Sequence, residues 1–344
     1  MTSSVITTES VEQAAAAVPE QHYTRNVERG ATIHTTAAQF VHRDISSMDI
    51  APGMSVLEIG TGSGYSGALL SELVGESGHV TSLDIDHYLT TWANVIHAER
   101  GRDNIRCITQ DGTAPLPGTE RFDRIGAWCT PPLLPREWVD RLNDGGLIVA
   151  ALPVVELPDI TVVATVRVTS GVPEIVATTP GTYIDATSSP KRDVQVPDRW
   201  LDWEYRYPEA AWISVNWRAG DDWRHTAARR TLDRLVNPGL ADVAELPAWG
   251  QFRFWAAAGV DAAGLTLASL PGGRLAVGHS TPDSVAVVTG DGRLLADSPD
   301  SASLAILRSW MSDWVEAATP HWSAHTPYLV TAENGWRLRL SRTS

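Results

Sequence analysis

Three glycines at alternate positions, Gly60, Gly62 and Gly64, follow a short apolar run in the segment VLEIGTGSGY, Val56 to Tyr65. Glycines in such a turn let the backbone bend tightly and let a ligand lie where a Cβ would intrude. Two carboxylates stand at matching places downstream. Asp84, 24 residues after Gly60, closes the next apolar run, where an acid can accept both ribose hydroxyl hydrogens. Asp111, followed by Gly112, closes the third and is placed to accept from an adenine amino group. A glycine-rich turn alone marks many tight strand-to-helix connections. Three ligand-edge features on three successive strand ends point to a nucleoside pocket. A dinucleotide fold would read GxGxxG and seat a pyrophosphate on the helix N-terminus. This chain reads GxGxG with Glu58 two residues before Gly60. A carboxylate there repels a pyrophosphate but suits the ammonium of a methionine moiety, directly or through water, which favours S-adenosylmethionine over NAD.

The elements that must carry these residues alternate regularly. Strands are predicted at Met54–Ile59, His79–Leu83, Ile105–Thr109, Phe122–Trp128 and Leu147–Leu152. Helices are predicted at Thr35–Ser47, Tyr65–Val74, His87–Arg100 and Pro135–Leu142, with another near Glu9–Val18. This βαβ rhythm describes a doubly wound, mostly parallel sheet whose right-handed crossovers fix its topology. Ile160–Val168 and Pro173–Tyr183, joined by Thr169-Ser170-Gly171, read as an antiparallel hairpin. Beyond a Pro- and Ser-containing stretch with the only lysine, Lys191, the pattern becomes an antiparallel α+β domain. It has helices at Trp223–Val236 and Ser301–Ala317 and short strands at Phe252–Ala258, Leu265–Leu270, Leu275–Gly278, Ser284–Thr289 and Leu294–Ala296. The expected division is an N-terminal segment 1–30, a first domain 31–187, a linker 188–200 and a C-terminal domain 201–344, with substrate binding as one role for the last.

Composition limits the function classes. Of the 344 residues, 41 are acidic and 27 basic, a formal net charge of -14, which argues against sequence-independent binding to nucleic acid. No apolar stretch approaches the roughly 20 residues needed to cross a bilayer, and MTSSVITTES lacks the basic flank and apolar core of a signal peptide. The expected location is the cytoplasm. The two cysteines, Cys107 and Cys129, have no metal-ligand spacing and read as small core residues, and no metal site is expected. Eleven of 14 tryptophans lie at or after Trp200, so the second domain is compositionally distinct. Trp200, Trp203, Trp212, Trp217 and Trp223 are read as core rather than as a peptide-binding surface. The arginines Arg224, Arg229, Arg230 and Arg234 are read as a solvated helix face on which an acidic peptide has an alternative place to dock.

The string VLEIGTGSGY, the pair Asp111-Gly112 and the segment NDGGLIVAALP, Asn143 to Pro153, closely resemble protein-L-isoaspartate O-methyltransferases. The resemblance runs from about Gly30 to Pro153 and more weakly to Tyr183. It implies a class I, Rossmann-like methyltransferase fold, S-adenosyl-L-methionine as donor and a carboxylate as acceptor. On it, Thr32, Glu58, Gly60, Thr61, Gly62, Ser63, Gly64, Asp84, Ile85, Asp111 and Gly112 are assigned to the donor site.

The chain departs from the family where TISAP is expected before the first strand; here Thr32-Ile33-His34-Thr35-Thr36 stands instead. His34 takes the serine's place and Thr36 the proline's. His34, Thr35, Thr36 and Thr130 are the candidates for the acceptor side, His34 as donor or charge to the carboxylate, the threonines as hydroxyl contacts; a filled space and satisfied caps are the simpler readings. Trp128 reads as core. The resemblance further implies a branch with C-terminal extensions that modifies aspartate in ribosomally made peptides of lanthipeptide, lasso or ATP-grasp type, leading to aspartimide or isoaspartate. The main expectation is therefore a carboxyl O-methyltransferase acting on a cyclised precursor peptide. A conventional isoaspartyl repair enzyme is the first alternative and a non-catalytic S-adenosylmethionine-binding docking subunit the second. The sequence says nothing about oligomeric state.

Overall fold

The structure is a computed structural model that describes residues 8–26, 30–31, 36–116, 118–189, 196–259 and 262–342. The expected helix near Glu9–Val18 is α1, Thr8–Ala17, followed by the single turn α2, Gln21–Thr24, and the two short strands β1, Arg25–Asn26, and β2, Gly30–Ala31. The alternating region contains α3 (Ala38–Ser46), β3 (Ser55–Ile59), α4 (Tyr65–Val74), β4 (His79–Asp84), α5 (His87–Glu99), β5 (Ile105–Thr109) and β6 (Phe122–Ala127). After it come β7 (Leu134–Pro135), the short α6 (Arg136–Asp140), β8 (Leu142–Pro153), β9 (Thr161–Thr169) and β10 (Val172–Pro180).

These strands form one seven-stranded sheet in the order β10-β9-β8-β6-β3-β4-β5. The pairs β8–β6, β6–β3, β3–β4 and β4–β5 are parallel, while β9 and β10 pair antiparallel. The central strands β3 and β6 and the second part of β8 are buried almost end to end, so they read as continuous apolar runs, whereas β5 at the sheet edge alternates buried and exposed residues. The β9–β10 hairpin turns on Ser170 and Gly171 at φ 51° and 75°, the pair of positive angles that a two-residue primed turn requires. Strand β6 carries Gly126, where a Cβ would lie 3.0 Å from the Trp128 ring and 3.1 Å from Met48; the missing side chain makes room for that indole.

The chain clusters into two compact units. The first comprises residues 1–152, 162–192 and 329–337, and the second residues 153–161, 193–328 and 338–344. Both thus contain separate stretches of chain, where the sequence reading places a simple succession. In the first unit, Gly335 and Trp336 pair antiparallel with Pro135 and Leu134, and the Arg136 guanidinium lies 4.8 Å from the Trp336 ring centre. They open the last strand, β19 (Gly335–Ser341), which follows β18 (Thr326–Ala332).

The second unit holds another seven-stranded sheet, ordered β11-β12-β14-β15-β16-β17-β13, from β11 (Trp203–Tyr205), β12 (Ala211–Val215), β13 (Leu240–Val243), β14 (Leu265–Leu270), β15 (Arg274–Ser280), β16 (Val285–Thr289) and β17 (Arg293–Ala296). All six neighbouring pairs in this sheet are antiparallel. Helix α7 (Thr226–Val236) packs on β12 and β16 through Ala228, Leu232 and Leu235, and α9 (Ala302–Glu316) packs on β15 and β16. One expectation is overturned: Phe252–Ala258 is not a strand but the greater part of helix α8, Trp249–Ala257. Its aromatic content suggests a strand, yet Phe252 and Trp255 stack three residues apart on one helix face, ring centres 6.0 Å apart. The tryptophan reading holds in part. Trp212 is buried and Trp203 and Trp217 are half-buried, but Trp223 is 80% exposed with the Arg224 guanidinium 4.6 Å from its ring centre.

Candidate active site

The carboxyl ends of β3, β4, β5 and β6 lie side by side, and strand order reverses between β3 and β6, the place where open α/β sheets bind ligands. Backbone bonds carry the ladder past the strand ends: Gly60 N–H donates to Leu83 O at 2.7 Å, Trp128 N–H to Ile59 O at 2.8 Å and Gln110 N–H to Asp84 O at 2.8 Å. They fix the start of the glycine turn against its neighbours. Gly60, Gly62 and Gly64 all have positive φ, at 96°, 51° and 86°, and Gly64 opens α4. Side chains at these positions would strain the turn.

Asp84 holds that turn from the next strand. Its Oδ2 accepts from the Gly62 N–H at 3.0 Å and its Oδ1 from the Asp86 N–H at 3.0 Å. Burial pushes its carboxyl above the usual range, opposed by these two amides. It remains partly exposed, with lone pairs left for a ribose. Ile85 beside it is half-buried. Asp111 accepts from both the N–H and the hydroxyl of Thr113, at 2.8 and 2.6 Å, an Asx turn that fixes the β5 end. Gly112 is needed for packing: a Cβ there would lie 2.6 Å from Ile59 Cγ2. An open glycine turn flanked by partly exposed Asp84 and Asp111 fits the nucleoside of S-adenosyl-L-methionine.

Glu58 occupies a different place from the one expected. Its carboxylate is fully buried beneath the turn, not turned towards a ligand ammonium. Oε1 accepts from Ser66 Oγ at 2.5 Å and Trp128 Nε1 at 2.8 Å, and Oε2 from Ser82 Oγ at 2.5 Å. Burial nevertheless raises its pKa to about 7, because three hydrogen bonds only partly replace hydration. Thr61 is also buried, its Oγ1 2.7 Å from Ser82 Oγ. Since the Ser82 hydrogen goes to Glu58, Thr61 is the donor in that pair. Thr61 thereby anchors the turn from below. Ser63 is buried, and its hydroxyl accepts from the Tyr65 N–H at 3.3 Å, which supports the first turn of α4.

On the acceptor side, Thr130 is likewise corrected from a substrate contact to a structural staple. Its buried hydroxyl donates to Tyr183 O at 2.9 Å and accepts from Tyr183 N–H at 3.3 Å, while its backbone bridges to Ile184 and Ala186. Thr36 is half-buried at the entry to α3. Thr32, His34 and Thr35 lie outside the described residues. Cys107 is buried and its thiol pushed up to about 12, as a core position requires, while Cys129 is half-buried.

Sequence reasoning missed His97 and the partners of Glu58. His97 on α5 is buried with neither ring nitrogen hydrogen-bonded, 5.7 Å between ring centres from Tyr23, and burial lowers its pKa to about 4. Its position directly behind Gly64 leaves 3.3 Å between Nε2 and a Cβ built there. The signal available was only a polar residue on the apolar stripe of α5.

The family model for Protein-L-isoaspartate(D-aspartate) O-methyltransferase matches residues 2–189, more than half of the chain. The chain belongs to that family. A protein-L-isoaspartate O-methyltransferase of Methanosarcina mazei is 31% identical over 152 residues, covering 41% of this chain and 63% of the relative. Another, from Methanococcus maripaludis, is 39% identical over 103 residues, covering 30% and 49%. The matches therefore span about half to just under two thirds of these relatives. Among solved structures, a protein of the same family name from Plasmodium falciparum, in complex with S-adenosyl-L-homocysteine, superposes with a TM-score of 0.42 at 15% identity, covering 53% of this chain and 91% of that one. Members of the protein-L-isoaspartate O-methyltransferase family are carboxyl methyltransferases that use S-adenosyl-L-methionine.

Proposed function

We propose that this chain is an S-adenosyl-L-methionine-dependent carboxyl O-methyltransferase whose acceptor is the isoaspartyl carboxylate of a protein or peptide. The observation that carries the reading is the family match over residues 2–189, which spans the glycine turn, Asp84, Asp111 and the end of β6. The Methanosarcina and Methanococcus relatives are named for isoaspartate, so the repair-type alternative is better supported than the peptide-tailoring expectation. The tailoring reading rests on His34 and its neighbours.

When bound, S-adenosyl-L-methionine supplies an electrophilic methyl group on its sulfonium. The chain's own contribution is alignment. A carboxylate with a pKa near 4 is already ionised at pH 7, so its oxygen needs no general base. Holding it in line at roughly 3–3.5 Å can account for about 7–11 kcal/mol of barrier. Gly60, Gly62 and Gly64 leave the donor turn open, and Asp84 orients that turn; Asp84 would hold the ribose and Asp111 the base. Thr130 and Tyr183 hold the acceptor wall.

The test is incubation of the purified chain with S-adenosyl-L-methionine and a matched pair of peptides, one isoaspartyl and one aspartyl, read by mass spectrometry. One added methyl on the isoaspartyl peptide alone is the expected result. Methylation of a cyclised precursor peptide with neither peptide touched would overturn the reading in favour of tailoring. Donor binding by calorimetry without any methylated product would favour the docking subunit.

A further inference from the structure

Trp128 stands where the donor turn and the acceptor wall meet. Its backbone N–H bonds Ile59 O, its indole N–H bonds Glu58, and its backbone lies 3.5 Å from where a Gly60 Cβ would be. The indole's other neighbour is Tyr183, ring centres 5.8 Å apart at 50°. The Tyr183 hydroxyl donates to Asp44 Oδ2 at 2.5 Å, Asp44 takes two bonds from Arg43 at 2.7 and 3.0 Å, and Arg43 donates to Pro180 O at 2.7 Å. A continuous line of contacts thus runs from beneath the glycine turn to α3 and to residues 180–186, buried as far as Asp44 and reaching the surface at Arg43. Helix α3 follows directly on the segment 32–36 that carries the acceptor candidates.

Both ends of this line are fully buried carboxylates, Glu58 and Asp44. Burying a carboxylate is costly even when it is hydrogen-bonded, and apolar residues would fill the same volume at less cost. A satisfied buried network instead restricts its surroundings to one arrangement. We propose that Trp128, held by Glu58 and backed by Tyr183 and Asp44, is a positioning residue that sets the acceptor wall against the donor turn. The inference rests on the proposed carboxyl methyl transfer and names the residues that align the acceptor for it.

The test compares the full chain with Trp128→Phe and Tyr183→Phe, using S-adenosyl-L-homocysteine as the binding probe. Trp128→Phe keeps an aromatic ring and removes the N–H; Tyr183→Phe keeps the ring against Trp128 and removes the bond to Asp44. Calorimetry gives the probe's Kd, and hydrogen exchange gives the protection that the probe confers on residues 38–46 and 180–186. In the natural chain the probe is expected to protect both segments. Each variant is expected to keep Kd within about threefold, lose most of that protection, and raise the isoaspartyl-peptide KM at least fivefold with kcat within about twofold. The double variant is expected to be no worse than the more affected single one, since the two residues act in series. Glu58→Gln, whose amide oxygen can still accept from the indole, is expected to retain the protection.

Protection unchanged in Trp128→Phe and Tyr183→Phe, or a Kd that weakens in step with KM, overturns the proposal; so does full additivity in the double variant. Loss of binding in one variant through misfolding leaves the other to decide. A natural chain that shows probe-induced protection but turns over no isoaspartyl peptide refutes the acceptor assignment and not the brace.

Discussion

Glu58 and His97 are two buried titratable residues whose effects on stability run in opposite directions. The carboxyl of Glu58 is raised from 4.5 to about 7 in the folded chain. Between those values the folded state holds a proton that the unfolded state has released, so stability is greatest below about pH 4.5 and declines as pH rises to about 7. A shift of that size corresponds to a few kcal/mol. His97, lowered from 6.5 to about 4, behaves in reverse: its contribution is present above pH 6.5 and is lost as pH falls through 4. The windows overlap, and in the natural chain the slopes partly cancel. Urea unfolding across pH 4 to 8 separates them. Glu58→Gln is expected to remove the decline between pH 4.5 and about 7 and to leave the acid-side loss from His97. His97→Leu removes two unpaired nitrogens and is expected to gain roughly 1 kcal/mol at pH 7 and to abolish the acid-side loss. Side-chain roles of this kind were not legible in the sequence. The motif tells that an acid precedes Gly60, but whether it faces the ligand or the core depends on where Ser66, Ser82 and Trp128 lie, and those sit 8, 24 and 70 residues away.

Among the elements, those that bear the motif are legible almost to their ends, because short apolar strands alternate regularly with helices and the glycine turn marks where β3 stops and α4 starts. Tyr65–Val74 and Ile105–Thr109 coincide with the expected bounds. Strand β12, AWISV, is not among the strands expected from the sequence; it is a five-residue buried run with Ser214 inside it and neither alternation nor a wholly apolar composition to mark it. In helix α8, Phe252, Phe254 and Trp255 raise strand propensity, while tertiary packing decides the outcome: Phe252 stacks on Trp255 and meets Trp314 of α9 edge-on, and Phe254 lies against Trp322. The connection after β10 carries its own prediction. Thr130→Val leaves the Tyr183 backbone groups without their hydroxyl partner and is expected to cost about 1–3 kcal/mol by urea unfolding. With donor-side residues untouched, the affinity for S-adenosyl-L-homocysteine is expected to change by less than threefold, and the peptide KM to rise.

For the molecule as a whole, the family match stops at residue 189, yet residues 329–337 belong to the same unit as the matched region. Gly335 shows how closely that returning stretch is fitted: a Cβ there would lie 2.0 Å from Leu134 O. Gly335→Ala is expected to lower stability by about 2 kcal/mol or more, measured by thermal or urea unfolding, although it lies far outside the recognisable motif. The sequence offered no route to this, since a two-residue pairing partner 200 positions away from Leu134–Pro135 leaves no local trace. No helix among the described residues is long and apolar enough to cross a membrane.

The exchange of short stretches between the two units has a practical corollary for anyone wishing to borrow the half that bears the glycine turn. A cassette cut at a single junction near residue 189 would leave behind the returning stretch 329–337, where β18 turns into β19, and carry away the segment 153–161 that belongs to the other unit. A working transplant needs two splices, one to graft the 329–337 turn with its flanking strand ends onto the excised piece and one to bridge the gap left by residues 153–161.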